Sequence, residues 1–256
     1  MSWIITGTQK LDPDAASYID RVEAADGQSL EEGVKLAYST FVSGCKTDGI
    51  WNAIKACCIL AGARTTNGSL IPLVGTAPTP FNFDLVNNTD YNRKTGLAGN
   101  GSTKYLDSNR TGIADPQDSH HTAIYASTIG TPNKVFLSDL FGAGGTELVN
   151  FSNILRTRVR NSSGTVDHSQ PLTAGFLGAS RSNAANYIVQ NDGTSEVATA
   201  SSATPTNLNK LIFVRQGLVS HSDARLAFYS IGESLDLALL DTRVTTLMSD
   251  LAAAIP

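Results

Sequence analysis

The sequence predicts a mainly β protein: an antiparallel jelly-roll β-sandwich with an N-terminal helical segment and a C-terminal helix. Three observations carry this prediction. Apolar positions repeat with a helical period only in residues 12–62 and again in 234–254. From Pro72 onward, Pro, Gly, Asn and Ser recur about every ten residues, the spacing of an all-β sandwich or barrel. Between those marks lie nine short strand-like segments with no helical stripe among them, and strands joined without helices stack as two antiparallel sheets. A chain of 256 residues buries a core without disulfide staples.

The elements follow in order. "SWIITGTQKL" at the start reads as a docking arm over residues 1–11 or as one more strand. Asp12 before Pro13 is an N-cap with proline at the first helical position, Ala15, Ile19, Val22 and Ala25 form the stripe, and Gly27 ends it. Ser29 with Glu32 spells a capping box for a second helix, whose stripe is Leu30, Val34, Ala37, Phe41 and Cys45. After a turn at 46–49, Asp48 is expected to cap a third helix carrying Ile50, Trp51, Ile54, Cys57, Cys58 and Ala61, with Gly62 at its end. A DNA-reading helix-turn-helix is the sharper alternative, but its recognition face would be apolar and nearly chargeless, so a packing role is expected.

Residues 1–75 are thus read as a helical segment and 76–256 as the sandwich. The expected strands are 81–86, 103–108, 121–128, 134–141, 154–160, 173–181, 186–191, 210–217 and 225–231. Ser234 is expected to cap the closing helix 234–254, whose stripe of Leu237, Leu240, Val244, Leu247 and Leu251 needs the N-terminal helices as its partner.

Composition narrows the function classes. A net charge of -4 with 16% charged residues leaves no basic surface for a phosphate backbone, so nucleic acid is not an expected partner. The longest apolar stretch, "WNAIKACCILAGA", is interrupted and too short to span a bilayer, and no membrane insertion is expected. Cys45, Cys57 and Cys58 have no metal or redox spacing and read as buried thiols. "MSWIITGTQK" lacks the pattern of a secretory signal, so folding in a reducing cytoplasm is expected. The Asn-x-Ser/Thr triplets at Asn67, Asn87, Asn100, Asn109, Asn150 and Asn161 then reflect composition rather than glycosylation.

A strand "RLAFYSIG" followed by "ESLD" and a helix resembles the C-terminal end of concanavalin A-like, laminin-G-like jelly-roll domains, especially those encoded by bacteriophages. The run from "DPDAASYIDRVEAADG" to "ACCILAGAR", then "LIPLVGTAPTPFNF" and "DYNRKTGLAGNGSTKYLDSNR", is similar to a group of phage-encoded proteins. That resemblance implies a virion protein, made in the host cytoplasm and exposed on the particle's exterior, with other virion proteins and copies of itself as partners; a trimer or another cyclic oligomer suits an attachment point. Two roles follow from it: a head-decoration or neck/tail accessory component, or a tail-fibre protein that binds a host surface glycan. A polysaccharide-cleaving enzyme is the third class.

No catalytic residues are assigned. Glucanases on this fold place two acids on one strand, whereas Asp84, Asp107, Glu147 and Asp167 are scattered singly and Asp236 lies at a helix start. "GASRS" (178–182) is no nucleophile elbow, His221-Ser222-Asp223 reads as a polar turn, and "GAGG" (142–145) lacks the rest of a dinucleotide fingerprint. His120, His121, His168 and His221 lack metal-ligand spacing.

Two binding sites are expected from residue type and spacing. "DSNRTGIADPQD" (107–118) sets oxygen ligands at Asp107, Asn109, Thr111, Asp115 and Asp118 with Gly112 in sixth place, the spacing of an EF-hand Ca²⁺ loop. It departs from that motif at Thr111, at the short Asp118 and at Pro116, and an ordinary polar loop is the alternative. Tyr91, Asn92 and Tyr105, with Tyr125, Tyr187, Asp107 and Asn109 as further candidates, supply the rings and polar groups of a sugar platform or, alternatively, core and rim packing. Arg156, Arg158 and Arg160 alternate along one strand and are expected to share a face, either solvated or turned to an acidic partner.

Overall fold

The structure is a computed structural model that describes residues 10 to 256; all of the expected docking arm except its last two residues lies outside the described residues. Two helices open the chain, α1 (Pro13–Asp26) and α2 (Glu32–Thr47), followed by a 3-10 turn, β1 (Ile54–Ile59) and the short α3 (Thr66–Ser69). Next come β2 (Thr79–Phe81), β3 (Tyr91–Asn92), β4 (Gly96–Ala98), β5 (Tyr105–Thr111), β6 (His120–Thr128), β7 (Lys134–Ser138) and β8 (Thr146–Phe151). The chain closes with β9 (Ile154–Val159), β10 (Val166–Pro171), β11 (Gly175–Arg181), β12 (Asn186–Asn191), β13 (Thr194–Thr199), β14 (Asn209–Ile212), β15 (Arg225–Gly232) and α4 (Leu237–Ala254).

The strands form two antiparallel sheets, as expected for a jelly-roll sandwich. The first runs β13-β12-β11-β6-β15-β4-β3, with β1 also beside β15; the second runs β10-β9-β8-β7-β14-β5-β2. The helices add a third layer. Phe176 and Phe228 on the first sheet face α1, α2 and α4, with Phe41 edge-on to Phe228 at 5.8 Å, while Leu177, Tyr229 and Ile231 face the second sheet. The first sheet is therefore buried on both faces, and β6, β11 and β15 are buried almost continuously rather than at alternate positions, polar residues such as His120, His121 and Thr122 included.

This middle position explains the main departure from expectation. Residues 54–59 form a strand, not a third helix, and pair with β15 from Ile54 opposite Gly232 to Ile59 opposite Phe228. Cys57 and Ile59 enter the helix-side core while Ala56 and Cys58 enter the inter-sheet core. A segment apolar on every side satisfies both periods, and only the open edge of β15 decides between them.

The helix ends follow competition for polar groups. Asp12 caps α1 through a 2.9 Å bond from the Asp14 amide, and Gly27 ends it with φ 67°, both as expected. The expected capping box is absent: the Leu30 amide donates to Glu23, the Arg64 guanidinium holds the Ser29 carbonyl, and α2 begins two residues later than Ser29 requires, with Glu31 in the N-cap position. Asp236, not Ser234, caps α4 by accepting from the Ala238 and Leu239 amides, because Ser234 is already tied to Ser119. The α4 stripe is buried as expected, packed on α2 and β11.

Several strands differ in extent. Asn82 turns left-handed at φ 61° and the Asp84 carboxylate accepts from the Val86 and Asn87 amides, so 82–86 is a turn after β2. Phe213 at φ 73° ends β14 early. β8, β10 and β13 were not among the expected strands; β10 and β13 are polar edge strands with little alternation to read. Arg160 leaves the face expected for the three arginines. At φ 57° it turns inward past the end of β9, and its buried guanidinium donates to the carbonyls of Gly112 and Pro116. No helix among the described residues is long and apolar enough to cross a membrane.

Candidate functional site

β5 alternates across the second sheet. Leu106 points into the inter-sheet core, which puts Tyr105 and Asp107 on the outward face. Phe81 on β2 sits opposite Tyr105, and their rings stack in parallel with centroids 4.3 Å apart. These two rings form one wall of an open cleft of about 440 Å³, bounded on the other side by Asn207, Asn209, Gln216 and Leu218, with Asp107 and Leu211 also lining it. Phe81 is 37% exposed and Leu218 is 50% exposed, so apolar surface remains available there.

The polar groups of the cleft are held in place. Asp107 accepts 2.8 Å from the Asn109 amide through one oxygen and 3.1 Å from the Asn209 carboxamide through the other. Asn109, left-handed at φ 55°, donates its own carboxamide to the Ala77 carbonyl and the Thr79 hydroxyl. Gln216 donates to the Asn209 carbonyl at 2.6 Å. A carboxylate offers about four acceptor positions, so Asp107 keeps capacity for a ligand hydroxyl. Behind Tyr105 lies the His221 ring at 6.2 Å, edge-on; burial and then the Lys134 charge push its imidazole below the ordinary histidine range. The arrangement provides partly exposed aromatic and apolar side chains beside a carboxylate and carboxamides, a combination suited to a pyranose ring and its hydroxyls.

Of the residues expected to bind sugar, Tyr105 lies in this cleft, with Asp107 beside it. Tyr91 and Asn92 sit on β3, at the end of the other sheet. The Tyr91 hydroxyl donates to the Ala63 carbonyl and its ring packs on both cores; Asn92 closes a turn by accepting from Lys94 and Thr95. Phe81, Asn207, Asn209, Gln216 and Leu218 were missed. They come from segments about a hundred residues from β5 or from a short edge strand, and no spacing in the chain links them.

The five oxygen residues of the expected Ca²⁺ loop do not converge. Asp107, Asn109 and Thr111 belong to β5, where Asp107 accepts from the Asn109 and Asn209 amides and the Asn109 carboxamide is spent on Ala77 and Thr79. The Asp115 carboxylate is buried against Arg110, with His120 3.3 Å away; burial pushes its acidity down, but His120 and Arg110 outweigh that and hold it well below the usual carboxylate range. One Asp118 oxygen is buried without a partner. Among the described residues, no group of three or more His, Cys, Asp or Glu is arranged to hold a metal ion.

No protein-family model matches the chain. No curated protein matches it either. Solved structures do. The botulinum neurotoxin serotype D binding domain superposes with a TM-score of 0.52 at 8% identity, over 79% of this chain and 52% of that one. The binding domain of botulinum neurotoxin DC in complex with SialylT gives 0.51 at 10% identity, over 78% and 51%. A botulinum neurotoxin type C structure, described with cell entry dependent upon interaction with two ganglioside molecules, gives 0.50 at 10%, over 78% and 51%. The likeness is one of fold. This chain spans about half the length of those chains.

A hydroxyl, imidazole and carboxylate do line up elsewhere. Glu196 lies 3.0 Å from His168 Nδ1, and His168 Nε2 lies 2.7 Å from the Thr157 hydroxyl. Thr157 is buried between the sheets with the Tyr187 hydroxyl 3.0 Å beyond it, so no substrate reaches its oxygen, and the chain of bonds ties β13 to β10. In the His221-Ser222-Asp223 turn, Ser222 is buried and Asp223 accepts from Thr131, consistent with a turn.

Proposed function

We propose that this chain is a non-enzymatic glycan-binding module displayed on the exterior of a phage particle, and that the Phe81–Tyr105–Asp107 cleft is its binding site. The single observation that carries the reading is the parallel pair of rings set beside Asp107, Asn209 and Gln216 in an open cleft. Relatives in fold are binding domains, one in complex with SialylT, which supports a binding role without assigning a ligand. Among the described residues Asp107 is the one carboxylate lining the cleft, whereas glycoside hydrolysis by the usual route uses two, about 5 to 9.5 Å apart. The phage setting, assembly from the host cytoplasm and self-association rest on the sequence resemblance.

Binding to a glycan array tests the site. Wild-type protein should retain a set of glycans, and Phe81→Ala should weaken retention by about 3- to 10-fold, the worth of one aromatic contact. Equal retention by the variant, or none by the wild type, removes the proposal.

One observation favours a second reading, a head-decoration or neck/tail accessory component. At one end of the sandwich, loops 112–117, 140–146, 161–165 and 201–208 expose no charged side chain. They are joined by backbone bonds such as Gly144 to Asn161 and Ser162 to Ser201, and they present Phe141 at 76% and Ile113 at 51% exposure. Antibody-gold labelling of particles separates the readings: label on distal tail fibres supports host recognition, label on head or neck supports decoration, and no label refutes both.

A further inference from the structure

We propose that Asp107 makes the cleft selective for uncharged saccharides and excludes acidic ones, whether sialylated, uronic or sulfated. This inference rests on reading the cleft as a glycan site. It comes from where the neighbouring cations go. Lys104, Arg110, Lys210 and Arg215 each stand within one residue of a residue that lines the cleft or holds Asp107 in place. Each is taken by an acid outside the cleft: Lys104 by Asp90, Arg110 by Asp115, Lys210 by Asp139 and Arg215 by Glu147. Glu147 is three strands from Asp107 across the outward face, about 14 Å at ordinary strand spacing, so Arg215 is drawn away. Lys134 turns to the Gly101 carbonyl, and His221 behind Tyr105 favours its neutral form.

Asp107 has no such partner. Among the described residues, no basic side chain pairs with it, and its two hydrogen bonds come from neutral amides. A ligand carboxylate or sulfate bound in the cleft beside Asp107 would meet a like charge at about 4 to 6 Å with no cation to compensate either group. Sugar hydroxyls meet the reverse: an acceptor with free lone pairs and carboxamides that both donate and accept.

The test uses the full chain on an array of matched glycan pairs, each galactose-terminated oligosaccharide printed with and without a terminal sialic acid, and a parallel set of neutral and glucuronate-terminated pairs. Wild-type protein should favour the neutral member by about 10-fold or more, and Asp107→Asn should bring that ratio close to one, whatever it does to absolute affinity. The wild-type preference should also shrink near 1 M salt, where the Debye length falls to about 3 Å; a purely steric preference would not move. Thermal melting of Asp107→Asn confirms that the variant is folded. Equal binding of both members by wild type, or an unchanged ratio in the variant, overturns the selectivity while leaving a glycan site intact. Binding of neither member overturns the glycan reading and the selectivity together.

Discussion

Lowering the pH should destabilise this fold well above the range in which its carboxylates titrate, and His121 is the principal reason. Its ring is buried on the helix side of the first sheet, with Nδ1 2.6 Å from the Glu233 carbonyl and Nε2 2.7 Å from the Ser230 hydroxyl. Those partners suit a neutral ring that donates from Nδ1 and accepts at Nε2. Burial lowers its pKa to about 4, from 6.5 in the unfolded chain, although the Glu233 carbonyl opposes the shift. The folded pKa is the lower one, so this contribution is fully present above pH 6.5 and is lost as pH falls toward 4. At about pH 5 the unfolded ring is nearly all protonated and the folded ring mostly neutral, which favours unfolding by about 2 kcal/mol relative to pH 7.5. His120, pushed the same way by burial between the sheets, adds to the loss. Glu147 opposes it, because burial raises its carboxyl above the ordinary range. Glu31, held near 2 by Arg93, gives up its share only below about pH 4.5. Urea unfolding followed by tryptophan fluorescence, at both pH values, measures the effect. His121→Gln keeps a donor and an acceptor without the titration, and its loss between the two pH values should be about 2 kcal/mol smaller than that of wild type. Equal losses in the two proteins would refute the reasoning.

Two further expectations concern stability at neutral pH. Lys210→Met strands the buried Asp139 carboxylate, whose 2.5 Å partner it removes, and should lower the unfolding free energy by about 3 to 5 kcal/mol, with Lys210→Met/Asp139→Asn recovering much of it; a single variant within 1 kcal/mol of wild type in urea would contradict this. Asp236→Ala removes the cap from the Ala238 and Leu239 amides and should cost about 1 kcal/mol, read as a lower urea midpoint, with no change expected if Ser234 were the true cap.

The sandwich with helices at both ends was legible because its signals are local: turn residues at regular spacing, and helical stripes such as Leu237 to Leu251 that need only the chain's own period. Asp12 and Gly27 acted as the sequence indicated: Asp12 has acceptor capacity for the Asp14 amide even while it pairs with Lys46, and Gly27 takes the left-handed φ that ends the helix. Local signals failed where distant groups compete. Ser29 lost its capping role to Glu23 and Arg64, and Ser234 lost its own to Ser119.

The cleft lies further from sequence reasoning. Tyr105 and Asp107 were identifiable by type and spacing, but their partners arrive from residues 81, 207–209 and 216–218 through strand pairings that no local pattern encodes. By itself the sequence determined the fold class, the ends of α1 and the buried face of α4, all set by short-range periodicity. Tertiary structure alone decided that residues 54–59 form a strand and that, among the described residues, Asp107 has no cation paired with it. An apolar run takes the shape of whichever edge it covers, and Lys104, Arg110, Lys210 and Arg215 each pair with the acid that the packing brings within reach.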